Sequence, residues 1–399
     1  MSLITPNDFR AEDFGDLLKA YFRNEGKDRF KFERPISEGA QGYTWRLRYR
    51  LTASSSWKKI VLKHERAPVR YDKDFVETDE DVARDAETMD RIRRGGRETE
   101  LETEKRLLTS LQWAKHICQI FAVPYDPLAS LLPLRPHRMD DWLYLEWIEN
   151  GTVRDFIGRV IDAGLATLPN RVLWRFFLCL LRMTIAMAWP PAQPAYMRQR
   201  LEHVGDRPPG NMTHNDMHTL NIMVGAEDPS SGEYEHDIIP QLKLIDFGYA
   251  TEEPPRSDHD PVKDNIFQVG GVMAELITLQ SQEVIDLPTE EAVSFTLQGG
   301  GETFRTMAMS ILPDDQGQDP VPCLDSSLRT AIASCLAVQH ELRPTVNTLT
   351  HIAKEAIKLR DAEWYARPES GHPNPAMERD AYIDNIFQVS LRNAPVSTT

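Results

Sequence analysis

The sequence predicts an α+β protein of two lobes, a small β-rich N-lobe followed by a mostly helical C-lobe. Three observations carry this. Residues 30–64 hold three short alternating or apolar runs of β-forming residues separated by turn residues, the pattern of antiparallel strands. From residue 150 onward the apolar residues recur at helical spacing, most clearly over Arg171–Trp189 and Ile266–Leu279. The length of 399 residues, 41 % of them hydrophobic, is more than one small core requires and suits two lobes with insertions.

Residues 1–29 form a charged N-terminal extension with a short helical pattern at Glu12–Phe22. The first lobe spans 30–149. It opens with a strand, Phe30–Ile36, and the glycine turn Ser37-Glu38-Gly39-Ala40-Gln41-Gly42. A second strand, Tyr43–Leu51, a hairpin turn at Ser54–Trp57 and a third strand, Lys59–His64, follow. Residues 65–97 are polar and strongly charged and read as an insertion. A helix is expected over Glu98–Leu111, with Leu101, Leu107, Leu108 and Leu111 as its inner stripe, and strands over Ile117–Val123 and Trp142–Trp147. Asn150-Gly151 breaks the chain where a hinge belongs.

The second lobe spans 150–358, with helices expected at Arg171–Trp189, Ile266–Leu279, Ser327–Leu336 and Val346–Ile357. The tail, 359–399, reads as loop-like after Pro368. The hexapeptide DNIFQV occurs twice, at Asp264–Val269 and Asp384–Val389, which suggests that the tail copy docks on the large lobe or on a partner.

The chemistry concentrates in Met212–Val224, MTHNDMHTLNIMV, where His214, Asp216 and Asn221 stand in the order H-x-D-x-x-x-x-N ahead of an apolar strand. Further on, LKLIDFG runs from an apolar strand into Asp246-Phe247-Gly248. Each piece alone occurs by chance; in this order, each joined to a β-like run, they are specific. Together they resemble the catalytic loop and metal-binding segment of a eukaryotic protein kinase domain. The resemblance covers roughly 30–355. It includes the glycine turn, Lys63 closing the apolar strand KIVLKH, and LAVQHELRPT around Arg343. Divergent kinase domains of filamentous fungi, with an N-I-F-Q-V-G-like helix, resemble it most.

That resemblance implies a protein kinase-like fold, ATP and Mg²⁺ as cofactors, and a role for each matching residue. Asp216 would be the catalytic base, with Asn221 and Asp246 as metal ligands through oxygen. Lys63 would hold the phosphates, oriented by Glu104, with Glu100 and Glu102 as neighbouring candidates. Ser37, Gly39 and Gly42 occupy the phosphate-loop spacing, where a Cβ would obstruct close backbone approach. Leu145 would be the gatekeeper, Glu146–Ile148 the adenine-contacting hinge, and Val61 and Met223 the apolar roof and floor. His214 is expected to be structural, packed under Phe247.

The pattern is also broken in places. Ser37 replaces the first glycine and Asn215 the arginine that receives an activation-loop phosphate in many kinases. His218 stands where a lysine beside the transferred phosphate is usual, giving a weaker, pH-dependent charge. The segment from Gly248 to Asn265 is short and lacks A-P-E; Glu252 or Glu253 is then the expected partner of Arg343. Asn265, or Asp264 beside it, takes the position of the aspartate opening the large-lobe helix. HNDxxxxN and IDFGYA also resemble choline and aminoglycoside kinases. Three functions therefore follow: a protein Ser/Thr kinase, a kinase for a small alcohol, or a nucleotide-binding pseudokinase.

Bulk properties narrow the partners. A formal net charge of −15 argues against a broad nucleic-acid or anionic-membrane surface. No apolar run approaches the roughly 20 residues needed to span a bilayer, and residues 1–25 have no basic start and apolar core. Cys118, Cys179, Cys323 and Cys335 lie far apart without C-x-x-C spacing, as expected of reduced thiols in a cytoplasmic or nuclear protein.

Overall fold

In the computed structural model the described residues are 18–19, 22, 28–38, 42–65, 98–129, 142–192, 198–227, 234–256, 259–280, 289–297 and 301–392. Most of the expected helix at Glu12–Phe22, Gly39, and nearly all of the charged stretch 65–97 lie outside them. The architecture is mixed α+β: a small antiparallel sheet near the N-terminus, then a mostly helical region. The chain divides into two compact units. One contains residues up to Thr109 together with Gln119–Trp147; the other contains Ser110–Cys118 and Ile148 onward.

The first unit is built on a four-stranded antiparallel sheet, β1 (Phe30–Glu38), β2 (Gly42–Tyr49), β3 (Lys58–Glu65) and β4 (Trp142–Glu146), in that spatial order. Alternation decides its faces. Tyr43, Trp45, Leu47 and Tyr49 of β2 and Ile60 and Leu62 of β3 are buried in one core with Phe30 and Tyr144. The indole N–H of Trp45 donates to His64 Nε2 at 3.0 Å, so this buried imidazole has a partner. Val61 and Lys63 face the other way, opposite Leu145 and Leu143 of β4. Helix α1 (Glu100–Ser110) buries Leu101, Glu104, Leu107 and Leu108, all at helical spacing.

The expected strand at Ile117–Val123 is not formed. Ile117 and Ile120 make isolated bridges only, to Leu244 and Leu145. The β-branched residues are there, but the Gln119 N–H goes to the Glu146 carboxylate and the Ile117 N–H turns back to the Ala114 carbonyl, so no continuous ladder forms.

The second unit is organised on α3 (Asn170–Ala188), a helix buried along its whole length, which follows α2 (Val153–Asp162). Helix α4 (Pro261–Thr278) and helix α6 (Val346–Leu359) pack against α3, and α5 (Ser326–Cys335) packs against α4. Short two-stranded pairs hold the loops between them. β5 (Met212–Thr213) pairs with β8 (Thr251–Glu252), and β6 (Ile222–Val224) with β7 (Leu242–Leu244). A further hairpin, β9 (Val293–Thr296) with β10 (Thr303–Thr306), was not anticipated from sequence. Helix α4 starts earlier than its apolar pattern, because Asp260 caps it and Pro261 suits its first turn.

The tail also departs from expectation. A short helix α7 (Ala362–Tyr365) precedes Pro368, and beyond Pro368 the chain is not loop-like: it forms a helix α8 (Asp380–Phe387) and a π-type turn, Gln388–Arg392. Phe387 stacks on Phe156 with centroids 5.9 Å apart and meets Phe176 edge-on at 6.5 Å. Glu378 accepts hydrogen bonds from the backbone N–H of Asn170 and of Arg171, at 2.7 and 3.0 Å, at the start of α3. Pro169 offers no side-chain cap there, so the tail carboxylate supplies it. The second DNIFQV therefore docks on the helical unit, but it does not imitate the first. The first copy buries Asn265, Ile266, Gln268 and Val269, whereas the second buries Ile386 and Phe387.

Candidate active site

Four buried polar contacts shape the loop between β5 and β6. The His214 N–H donates to Asn265 Oδ1 at 3.0 Å, and Asn265 Nδ2 donates back to the Met212 carbonyl at 2.8 Å. One turn along α4, Gln268 Oε1 accepts the Met217 N–H at 2.7 Å. Two turns further, Glu275 accepts from Thr219 Oγ1 at 2.9 Å and pairs with Arg154 at 3.1 Å. Residues 265, 268 and 275 thus lie along one helical face and fix the loop backbone from one side. Of these, Asn265 was legible in the sequence; Gln268, Glu275 and Arg154 were not.

Asn215 in the loop has φ 66° and Asp246, just after β7, has φ 62°, both in the left-handed region, where Asn and Asp are the best-tolerated side chains after glycine. Asn215 secures its position by donating to the Tyr249 carbonyl and to Thr251 Oγ1, at 3.0 and 2.9 Å. His214 is fully buried and packs edge-on against Phe247, centroids 4.8 Å apart. Its Nε2 lies 3.1 Å from the Ile245 carbonyl and must donate, so Nδ1 is the acceptor for the Asp216 N–H at 3.3 Å. Burial holds the imidazole down to about 4, and the ring is neutral at ordinary pH.

Asn221 and Asp216 are locked to one another. The Asn221 amide donates to the Asp216 carbonyl at 2.9 Å and to its Oδ2 at 2.7 Å. With its NH₂ turned inward, Asn221 Oδ1 accepts no hydrogen bond from the described residues, leaving an oxygen of the type a hard divalent cation takes. Asp246 follows β7 half-buried, and the Ile245 N–H donates to the Asn221 carbonyl at 2.9 Å, tying the two segments together. His218 turns toward the aspartate: its Nδ1 accepts from the Leu220 N–H at 3.2 Å, so Nε2 carries the proton facing Asp216 Oδ1 at 3.3 Å. Asp216 is thus a positioned, half-exposed carboxylate able to accept a hydroxyl proton.

In the first unit, Lys63 Nζ and Glu104 Oε2 form an ion pair at 2.7 Å, with Glu104 only 1 % exposed. Of the three glutamates weighed, Glu104 is the one that meets Lys63. Val61 is half-buried on the same face as Lys63. The Glu146 carboxylate accepts from the Gln119 N–H at 2.9 Å, and Leu145 is buried in β4. Ser37 lies one residue before the end of β1, opposite Thr44, and Gly42 opens β2 opposite Glu65. In the second unit, Ile148 is buried and Met223 is half-buried in β6, opposite Lys243.

Arg343 does not pair with Glu252 or Glu253. Its Nη1 bonds Asp264 Oδ1 at 3.0 Å, its Nε donates to the Ala337 carbonyl, and its guanidinium lies over Phe267, while Glu253 pairs with Arg256. The arginine needs a buried anion close to α5, and α4 brings Asp264 there. Among the described residues no helix is long and apolar enough to cross a membrane. No protein-family model matches the chain, and no curated protein matches it.

Proposed function

We propose that the chain is an ATP-dependent phosphotransferase of protein-kinase type, transferring the γ-phosphoryl group to a hydroxyl, with protein Ser/Thr as the acceptor. The observation that carries this reading is the Asp216–Asn221 lock, with the side-chain oxygen Oδ1 of Asn221 left for a cation and Asp246 tied in behind β7. The Lys63–Glu104 pair, with its glutamate buried, supports it independently, since a lysine ammonium on a strand face suits a phosphate. Bound Mg²⁺ would supply neutralisation of the nucleotide's phosphate charge, through Asn221 and Asp246. Asp216 would orient the acceptor hydroxyl and take its proton, and His218 would steady that carboxylate. Phosphoryl transfer needs little more than such positioning and electrostatics.

The shortness of the segment between Gly248 and Asp260 favours a second reading, a small alcohol as acceptor, because it leaves little surface for a peptide. The test is incubation with Mg²⁺ and γ-labelled ATP, with and without generic protein acceptors, beside Asp216→Asn. Label on protein, absent in the variant, supports the first reading. A melting shift equivalent to about 2.7 kcal/mol at ATP 100-fold above Kd, without label on protein, supports the small alcohol or a nucleotide-binding pseudokinase. Absence of both label and shift overturns the proposal.

A further inference from the structure

We infer that His116, Cys179 and His236, all in the second unit, form a buried three-ligand site for one zinc(II) ion. The inference is independent of the phosphotransfer reading.

The three side chains offer ligand atoms that all lie within 4.8 Å of one another, and all three residues are buried. His116 Nε2 and His236 Nε2 are 3.1 Å apart, and Cys179 Sγ is 3.4 Å from the same His236 nitrogen. Zinc bonds of about 2.0–2.1 Å to nitrogen and 2.3 Å to sulfur, at a tetrahedral angle, put N···N at about 3.3 Å and N···S at about 3.6 Å. These two separations need only a few tenths of an ångström of adjustment.

Outer contacts set the ligands for this role. Glu202 accepts from the His116 N–H with one oxygen and lies 2.7 Å from His116 Nδ1 with the other. Nδ1 therefore carries the proton and Nε2 presents its lone pair, the carboxylate–histidine arrangement that metal ligands use. Helix α3 grips the 235–237 segment along one face: Arg175 pairs with Asp237, Cys179 meets His236, and Arg182 pairs with Glu235 at 2.5 Å. Arg182 also donates to the Glu202 carbonyl. Both arginines are matched by a carboxylate, so Glu202 is left as an unbalanced anion, and Cys179 would bind a metal as its thiolate; a divalent cation balances the two.

Without a metal the same atoms call for a buried positive charge. If His236 Nε2 accepts the thiol proton, it faces His116 Nε2 lone pair to lone pair at 3.1 Å unless an imidazolium is buried there. A cation facing all three removes that conflict. A nitrogen–nitrogen–sulfur set with no redox chemistry around it fits zinc, with water as fourth ligand.

The test uses the full chain, expressed without a polyhistidine tag and purified without chelator. Elemental analysis is expected to find one zinc per chain. Chelation should lower Tm, and one equivalent of Zn²⁺ should restore it. Cobalt(II) loading should give a thiolate-to-cobalt charge-transfer band that Cys323→Ala keeps and Cys179→Ala loses. Should Cys179→Ala fail to fold, X-ray absorption at the zinc edge of the wild-type protein decides, with one sulfur and two imidazole nitrogens expected. Substoichiometric zinc with no Tm response to added Zn²⁺, a metal shell without sulfur, or stoichiometric copper in place of zinc would each overturn the assignment.

Discussion

His214 makes a quantitative prediction about acid stability. The ring is fully buried, and loss of hydration holds its folded-state pKa to about 4, against about 6.5 in an unfolded chain. Between these two values the unfolded chain binds the extra proton. The stability conferred by the neutral ring is therefore complete above pH 6.5 and lost as pH falls toward 4, at about 1.4 kcal/mol per unit and on the order of 3 kcal/mol in all. His214→Leu removes this titration together with two hydrogen bonds, the donation to Ile245 and the acceptance from Asp216 N–H. Their loss costs about 2 kcal/mol at neutral pH. Urea unfolding of both proteins from pH 8 to 4.5 should show the variant less stable by about that amount at pH 8, with the gap closing near pH 5. A gap that stays constant across the range refutes the reasoning. So does an NMR titration of the ring with a midpoint at 6.5 or above.

Other outcomes follow from single contacts. Asn265→Ala, which orphans both the His214 N–H and the Met212 carbonyl, should lower stability by about 2–3 kcal/mol in urea unfolding, and Asn265→Asp, which keeps the acceptor, by less. Phe387→Ala should cost about 3–5 kcal/mol, read as a Tm drop, because the ring fills space between Phe156 and Phe176. Glu378→Gln puts an amide NH₂ where one of two α3 backbone donors points and should cost about 1–3 kcal/mol, measured the same way.

The parts that could be read from sequence are those whose signals are local. Asp216, Asn221 and Asp246 stand at fixed spacing beside short strands, and the structure gathers their segments through bonds between near neighbours. Glu104 was distinguishable from Glu100 and Glu102 only through the register of three leucines, and burial of Leu101, Leu107 and Leu108 sets it facing inward. What escaped is non-local. His116, Glu202 and His236 lie far apart in the chain, and nothing beside each announces the others. Arg343 was assigned a carboxylate on the wrong element because its partner, Asp264, is set by helix packing. The tail looked like loop because its local pattern is weak; Ile386 and Phe387 become helical core only where α2 and α3 supply aromatic neighbours.

The capping of α3 by Glu378 has a consequence for biosynthesis. The helix at the centre of the larger unit leaves the ribosome with its first backbone donors unmet, and the carboxylate that accepts them is encoded 208 residues later. Until that stretch emerges, the start of the helix must stay hydrated or borrowed by another partner, so the unit cannot close in pieces as translation proceeds. A ribosome that stops short of Glu378 would release a chain with most of its hydrophobic helix made and no way to seal one end of it. Holdase chaperones would meet that species first, and its lifetime would be set by the time taken to make the intervening 208 residues.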